Sequence, residues 1–295
     1  MIYNPAAGSR SLEARRGPAL EILREQAETV DALPTEGPGS ATALARKACA
    51  RGADLVLALG GDGTVNEVIN GLAHTPVPLA VLPAGTANVL ARELEIPLDP
   101  VRAAAMLPGL EPRRIALGRL STAAASRYFL LMCGAGLDAR IVYTLNLRLK
   151  SYVGILSYWM AGLRQIGRRW ETFDAEIDSQ RQPCTFVLAA RASRYGGGLR
   201  IARRAHLLAE EMDVVLIETR SSLRYLLYLA GAATGSLDRF SGVSLRRSRR
   251  VRMEGPASVH LQVDGEYAGR LPATVETAPD ALTLLMPAGY IRSHG

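Results

Sequence analysis

The stretch Leu59-Gly60-Gly61-Asp62-Gly63-Thr64-Val65-Asn66-Glu67 decides how this chain is read. An apolar run, Leu55-Val56-Leu57-Ala58-Leu59, leads into it, and a helix-like run from Val65 to Leu72 follows. A buried parallel strand entering a glycine turn and then a helix is how an α/β protein presents backbone N–H groups to phosphate. The glycines let the backbone approach a bulky anion, and Thr64 adds a hydroxyl. Asp62 cannot hold a phosphate directly, since both are negative. A carboxylate there suits Mg²⁺, held directly or through water. The same residues also fit an ordinary strand–turn–helix connection with a solvated aspartate.

Around this turn the alternation is regular. Ile2-Tyr3 ends a short strand before the turn 4–9. Leu12 to Ala27 has helical spacing, and Val30 to Leu33 is a second short strand. After the loop 34–39, Ser40 is placed to cap a helix to about Arg51. Pro78 to Leu82 is the next strand, opening into Pro83-Ala84-Gly85-Thr86-Ala87-Asn88 and a helix from Val89 to Glu93. This βαβα order predicts an open parallel sheet with helices on both faces. Ligands bind such sheets at the carboxyl ends of the strands. The turns 4–9, 34–39, 60–64 and 83–88 should all lie on that edge.

Past Pro97-Leu98-Asp99-Pro100 the runs become β-like: Ile115–Leu120, Tyr128–Cys133, Phe173–Asp178, Thr185–Ala190, Asp213–Thr219, Val251–Met253, Val259–Val263 and Leu282–Met286. Helical patches fall at about 151–166 and 221–234. The expected architecture is α/β. A doubly wound parallel-sheet domain spans 1–114, and a mainly antiparallel β-sandwich domain spans 115–287. A tail covers 288–295, and the active site is expected in the cleft between the domains.

Composition narrows the partners. The chain has 295 residues, 48% of them hydrophobic, enough for a large core in two domains. Lys+Arg number 35 against 28 Asp+Glu, nearly all of the positive charge being arginine, and the pI is about 9.6. That favours an anionic partner. Aromatics are only 5%, too few for a single-strand nucleic-acid stacking surface. Cys49, Cys133 and Cys184 are far apart, odd in number and without metal spacing, which fits a reducing cytoplasm. Because the chain opens almost inside a strand, no signal peptide is expected. Its most membrane-like stretch, Tyr152 to Leu163, is too short to span a bilayer. A cytoplasmic protein, soluble or peripheral at the membrane, is expected.

Further motifs follow in a fixed order: Asn4-Pro5 with Gly8, Gly60 to Thr64, Pro83 to Asn88, Gly134-Ala135-Gly136-Leu137-Asp138, Tyr195-Gly196-Gly197-Gly198 and Val263-Asp264-Gly265-Glu266. Together they resemble the diacylglycerol kinase catalytic-domain family, which includes soluble bacterial lipid kinases and the sphingosine and ceramide kinases. The resemblance covers nearly the whole chain. The glycine turn alone also resembles NAD kinases and phosphofructokinases; the C-terminal Val-Asp-Gly-Glu favours lipid kinases.

The resemblance implies ATP and Mg²⁺ as cofactors and a lipid substrate. It implies that Gly60, Gly61, Asp62, Gly63, Thr64, Val65 and Asn66 form the phosphate cradle, with Asp62 in the Mg²⁺ network. It places Thr35, Gly85 and Thr86 at the nucleotide, with Asn4 and Asn88 bracing the site. It makes Glu266 the general base that takes the lipid hydroxyl proton, within hydrogen-bond reach. By local sequence, Asp264-Gly265 is a hairpin turn, and both readings can hold at once.

The chain departs from the family pattern in two places. Ala116 stands where relatives commonly have an aspartate. Arg203-Arg204 and Leu208-Ala209 stand where many bacterial members hold a structural Mg²⁺, so that site is expected to be degraded. Glu210, Glu211 and Asp213 are the candidates for a relocated one.

Arg246-Arg247-Ser248-Arg249-Arg250-Val251-Arg252 holds five arginines in seven residues. It is either a solvated strand or a contact with anionic lipid, worth roughly 1 kcal/mol per residue. Nucleic acid is not expected, since no recognised module is present. The apolar stripes 152–163 and 223–229 are either core or an acyl-chain groove.

The main expectation is an ATP-dependent lipid kinase. The alternatives are an NAD kinase-type enzyme with a soluble substrate, and a non-catalytic nucleotide- or lipid-binding relative. The identity of the lipid and the oligomeric state, a homodimer included, stay open.

Overall fold

The computed structural model describes the chain except for residues 8–9, 137–138, 140–170, 196–198, 220, 222–223, 225–226, 229–230 and 233, and except for the side chains of 10–13 and 199–200. The apolar stripe 152–163, most of 223–229, Gly8, Leu137-Asp138 and Gly196 to Gly198 therefore lie outside the described residues. The chain divides into two units: Met1–Leu117 with Pro279–Gly295, and Gly118–Ala278. The chain passes from one to the other inside two long strands.

The first unit alternates β1 (Ile2–Tyr3), α1 (Arg10–Gln26), β2 (Leu33–Pro34), α2 (Ser40–Ala50), β3 (Val56–Gly60), α3 (Asp62–Leu72), β4 (Leu79–Pro83), α4 (Val89–Glu93) and α5 (Pro100–Met106). The strands are parallel in the order β2-β1-β3-β4. All five residues of β3 and of β4 are buried, as expected for strands covered on both faces. The chain steps one way from β1 to β2 and the other way from β2 through β3 to β4. Right-handed crossovers then put α1 on the face opposite α2 and α3.

The register fixes the rim. Tyr3 pairs with Pro34 and with Leu59, and Gly60 with Pro83. The turns after these four strands thus leave one edge of the sheet.

Several boundaries differ from the sequence reading. The second strand sits at Leu33–Pro34, not from Val30. The third helix begins at Asp62 rather than Val65, because Gly61 is extended (φ −89°, ψ −179°) and an acidic first turn suits a helix N-terminus. Helix α5 was unforeseen although its start is explicit: Asp99 Oδ1 accepts from Val101 N at 2.8 Å, with Pro100 in the first turn.

Strand β5 (Leu110–Thr122) carries the chain into the second unit and β18 (Ala273–Pro287) brings it back. The sequence reading ran its second domain to 287. The far half of β18 instead pairs parallel with β4, at Leu284 and Leu79, and His74 N donates to Ala281 O at 2.7 Å. The expected tail is a helix, α6 (Ala288–His294). Its Tyr290 is buried and donates to Glu93 Oε1 at 3.3 Å.

The second unit is an antiparallel sandwich. Beside the short pair β11 (Arg194–Tyr195) and β12 (Leu199–Arg200), one sheet has the order β14-β13-β10-β7-β16-β17. These strands are β14 (Val243–Ser248), β13 (Met212–Ile217), β10 (Phe186–Ala190), β7 (Met132–Gly136), β16 (His260–Val263) and β17 (Glu266–Arg270). The other is built from the near half of β18 with β15 (Arg250–Glu254), β8 (Phe173–Ile177) and β9 (Gln180–Cys184), while β5 pairs with β18 and with β6 (Ser126–Phe129). Phe129, Phe173, Val187, Val214, Val251, Leu261 and Val275 come from both sheets and share one buried core.

The single strand expected over 128–133 is two, β6 and β7, broken at Leu130-Leu131. The break has a cause in the candidate site. Among the described residues no helix is long and apolar enough to cross a membrane.

Candidate active site

On the rim of the first unit the glycines are held by protein packing. A Cβ on Gly60 would lie 2.7 Å from the Thr64 Cβ and 2.7 Å from its Oγ1. A Cβ on Gly61 would lie 3.3 Å from the Gly85 Cα, and one on Gly85 only 2.5 Å from the Gly61 Cα. The two turns therefore interlock, and the lack of side chains is required for that contact whatever ligand they meet.

Asn88 sits in the left-handed region (φ 45°) and closes its own turn. Its Oδ1 accepts from Gly85 N and its Nδ2 donates to Gly85 O, both at 2.8 Å. Asn4 Nδ2 reaches Thr64 Oγ1 at 3.5 Å, and its Oδ1 accepts from Ala6 N at 2.9 Å. Thr35 N donates to Tyr3 O at 2.8 Å, beside Asn4.

Asn4, Gly60 to Thr64, Gly85 and Asn88 are thus one bonded cluster, with Thr35 adjoining. Thr86 is exposed in the same turn. Val65 and Asn66 face inward: Asn66 is fully buried, and its Oδ1 accepts from Asn70 Nδ2 at 3.3 Å.

Asp62 is half-buried, and its Oδ1 accepts from Leu90 N, in the first turn of α4, at 3.3 Å. Burial raises its pKa above the ordinary carboxylate range, and the backbone N–H groups of Val89 and Leu90 oppose that shift. Glu67, also on α3, was not singled out by sequence. Its carboxylate accepts from Gly39 N at 2.8 Å and Ala41 N at 3.1 Å. Glu67, not Ser40, caps α2. Ser40 is the helix's first residue, and its Oγ accepts from Glu36 N and Gly37 N at 3.1 and 3.3 Å.

In the second unit Asp264 (φ 48°) and Gly265 (φ 82°) form a two-residue turn between β16 and β17. Positive φ at both positions is the hairpin geometry that Asp-Gly favours. The Asp264 carboxylate is buried and accepts three backbone N–H groups: Leu130 at 3.0 Å, and Leu131 and Met132 at 2.9 Å each. Those bonds turn the chain between β6 and β7, which is why 128–133 is not one strand. Glu266 opens β17, and its Oε2 pairs with Arg127 Nη2 on β6 at 2.6 Å. Neither Arg127 nor the role of Asp264 was foreseen.

Two family models match this chain. Residues 1–120 match the diacylglycerol kinase catalytic domain, and residues 132–286 match the YegS C-terminal NAD kinase beta sandwich-like domain.

The chain belongs to the family that joins a diacylglycerol kinase catalytic domain to a YegS C-terminal NAD kinase beta sandwich-like domain.

Its relatives include the diacylglycerol kinase of Bacillus subtilis (strain 168), 27% identical over 97% of this chain and 95% of that protein. Another is the diacylglycerol kinase of Staphylococcus aureus (strain bovine RF122), 29% identical over 92% and 87%. A diacylglycerol kinase structure from Bacillus anthracis strain Sterne shares the fold, with a TM-score of 0.79 at 21% identity over 98% and 96% of the two chains.

Ala116 is buried in β5. Two of the three carboxylates considered for a relocated metal, Asp213 and Glu210, are engaged by arginine. Asp213 Oδ1 accepts from Arg247 Nε at 3.0 Å, Arg247 Nη2 donates to Arg204 O at 3.1 Å, and Glu210 pairs with Arg249. Among the described residues no group of three His, Cys, Asp or Glu is placed to hold a metal. The arginine run is largely bonded to protein as well: Arg246 donates to Gln180 Oε1, and Arg252 pairs with Glu254.

A cavity of about 460 Å³ in the second unit is walled by Thr172, Thr185, Glu218, Thr219 and Arg224 among others. It adjoins the end of β10 where Phe186 pairs with Gly136. The Glu266 hairpin meets β7 at Cys133, near its other end, roughly 10 Å away along the strand.

Proposed function

We propose that this protein is an ATP-dependent lipid kinase, moving the γ-phosphoryl group to the hydroxyl of a diacylglycerol- or sphingoid-like lipid. The observation that carries the reading is the interlocked pair of turns at Gly61 and Gly85. It gathers Asn4, Gly60 to Thr64 and Asn88 at the starts of α3 and α4, in a chain whose relatives are diacylglycerol kinases.

Thr35, the Gly60–Thr64 turn, Gly85, Thr86 and Asn88 hold the nucleotide in this reading; Val65 and Asn66 support the turn from inside α3, since Val65 N donates to Gly61 O at 3.1 Å and Asn66 is fully buried. The residues present fit a Mg²⁺ that travels with the phosphates. Such an ion takes one or two protein carboxylates and completes its shell from phosphate and water, and Asp62 supplies one. Held by Asp62, such an ion would offset phosphate charge, which with positioning is most of phosphoryl-transfer catalysis. Glu266 takes the proton of the lipid hydroxyl as its oxygen attacks the γ-phosphorus and ADP leaves. The exposed arginines of β14 and β15 support peripheral contact with an anionic membrane on the cytoplasmic side, at a strength reduced by their carboxylate partners.

The test is Mg-ATP with diacylglycerol, sphingosine and ceramide in mixed micelles, run beside NAD. Phosphorylated lipid is the expected product. Phosphorylated NAD with no lipid product would replace the reading with the soluble-substrate one.

A further inference from the structure

The ion pair between Arg127 and Glu266 sits on a doubly fastened corner. Arg127 lies on β6, where Leu120 pairs with Arg127 and Gly118 with Phe129. Phe129 is fully buried, and a Cβ on Gly118 would fall 2.1 Å from its ring, so this end of β6 has no room to shift. On the other side, Glu266 follows a turn whose Asp264 carboxylate grips Leu130 to Met132, the residues directly after β6. Both partners are therefore held by the same strand end. The side chains are 28% and 29% exposed, and only Oε2 of Glu266 is engaged. Among the described residues Oε1 has no hydrogen-bond partner.

We propose that Arg127 is the positioning residue for Glu266: it fixes Oε2 so that Oε1 is presented to the substrate hydroxyl. The proposal rests on the reading of Glu266 as general base. An unpaired glutamate at a turn samples several rotamers, whereas a base works only within about 2.6–3.2 Å of the proton it takes. A base oriented by a third group is the recurrent solution, and a planar guanidinium at 2.6 Å fixes direction as an ammonium does not. The competing reading is a partly exposed ion pair that merely staples β6 to β17 and contributes little.

The experiment is a double-mutant cycle on kcat with Arg127→Ala, Glu266→Gln and the double variant, plus Arg127→Lys. Residual turnover is followed with γ-labelled ATP over long incubations, and melting temperatures are measured alongside. Arg127→Ala is expected to lower kcat about 10- to 100-fold, with the KM for ATP unchanged. Arg127→Lys should recover only part of that loss, and Arg127→Ala should cost nothing further in the Glu266→Gln background.

Wild-type kcat in Arg127→Ala, or the same fold-loss in both backgrounds, would overturn the proposal while leaving Glu266 as base. Full recovery by lysine, or a kcat loss that only tracks melting temperature, would reduce the pair to a staple. Wild-type turnover by Glu266→Gln would remove the base itself, and the proposal with it.

Discussion

Gly61 and Gly85 interlock: a methyl group on Gly85 would stand 2.5 Å from the Gly61 Cα and 2.9 Å from Asn88 Oδ1. Backbone lies on one side and a bonded side chain on the other, so neither can yield cheaply. Gly85→Ala should destabilise the protein by about 1–3 kcal/mol and weaken ATP binding at least tenfold. Denaturant unfolding and nucleotide titration check the two effects. A variant as stable and as tight as the parent would show that the contact does not matter.

Asp264 holds three backbone N–H groups with one buried carboxylate. Asp264→Ala would leave them without an acceptor, and hydrogen bonds to charged groups contribute roughly 1.5–3 kcal/mol each. A loss of about 3 kcal/mol or more is expected. Turnover should fall with it, since the same turn places Glu266. Asp264→Asn, keeping one acceptor oxygen, should fall between the two in a denaturant series.

Asp62 titrates against the fold. Burial raises its carboxyl above the ordinary value, so the folded state holds the proton more tightly than the unfolded one. Its contribution to stability is full below the ordinary carboxylate pKa and is lost as pH rises through the raised value. Asp62→Asn removes that loss while its amide oxygen can still accept from Leu90 N. The ligand-free variant is expected to melt above the parent at pH 7. The gap should close as pH falls towards 4, while phosphoryl transfer is lost. Thermal melts across that range check the sign, and a variant less stable than the parent at pH 7 would reverse the argument.

Glu67 caps α2 from a neighbouring helix, and Thr42 Oγ1 returns a bond to Glu67 O at 2.8 Å. Glu67→Ala should cost about 1 kcal/mol, as other cap deletions do. It should also speed amide exchange across 37–42, the loop beside Thr35. Exchange that stays at the parent's rate would show that the loop is held by Ser40 alone.

How far the sequence discloses all this depends on where each interaction comes from. The parallel strands β3 and β4 are legible because burial on both faces leaves an unbroken apolar run. The rim is legible because its turns carry glycine, asparagine and threonine, and the register brings Tyr3, Pro34, Gly60 and Pro83 to one edge. The start of α3 at Asp62 is obscured by the two glycines around it, which argue for a loop. Helix α5 could have been found from Asp99-Pro100 alone. The break between β6 and β7 could not, because its cause is Asp264, more than 130 residues away. Strand β17, Glu-Tyr-Ala-Gly-Arg, has no apolar alternation and is visible only as the second arm of a hairpin. Arg127 carries no local signal at all, since its meaning lies in the partner that the hairpin brings to it.

The central claim is that a phosphoryl group passes from ATP to a lipid hydroxyl with Glu266 as base. The most direct measurement incubates γ-labelled Mg-ATP and a total lipid extract with the parent protein and with Glu266→Gln, then counts label in the lipid phase. Label should enter lipid with the parent and be reduced by about 10²-fold or more with the variant. Equal incorporation by both, or none by a parent that binds ATP, would contradict the claim.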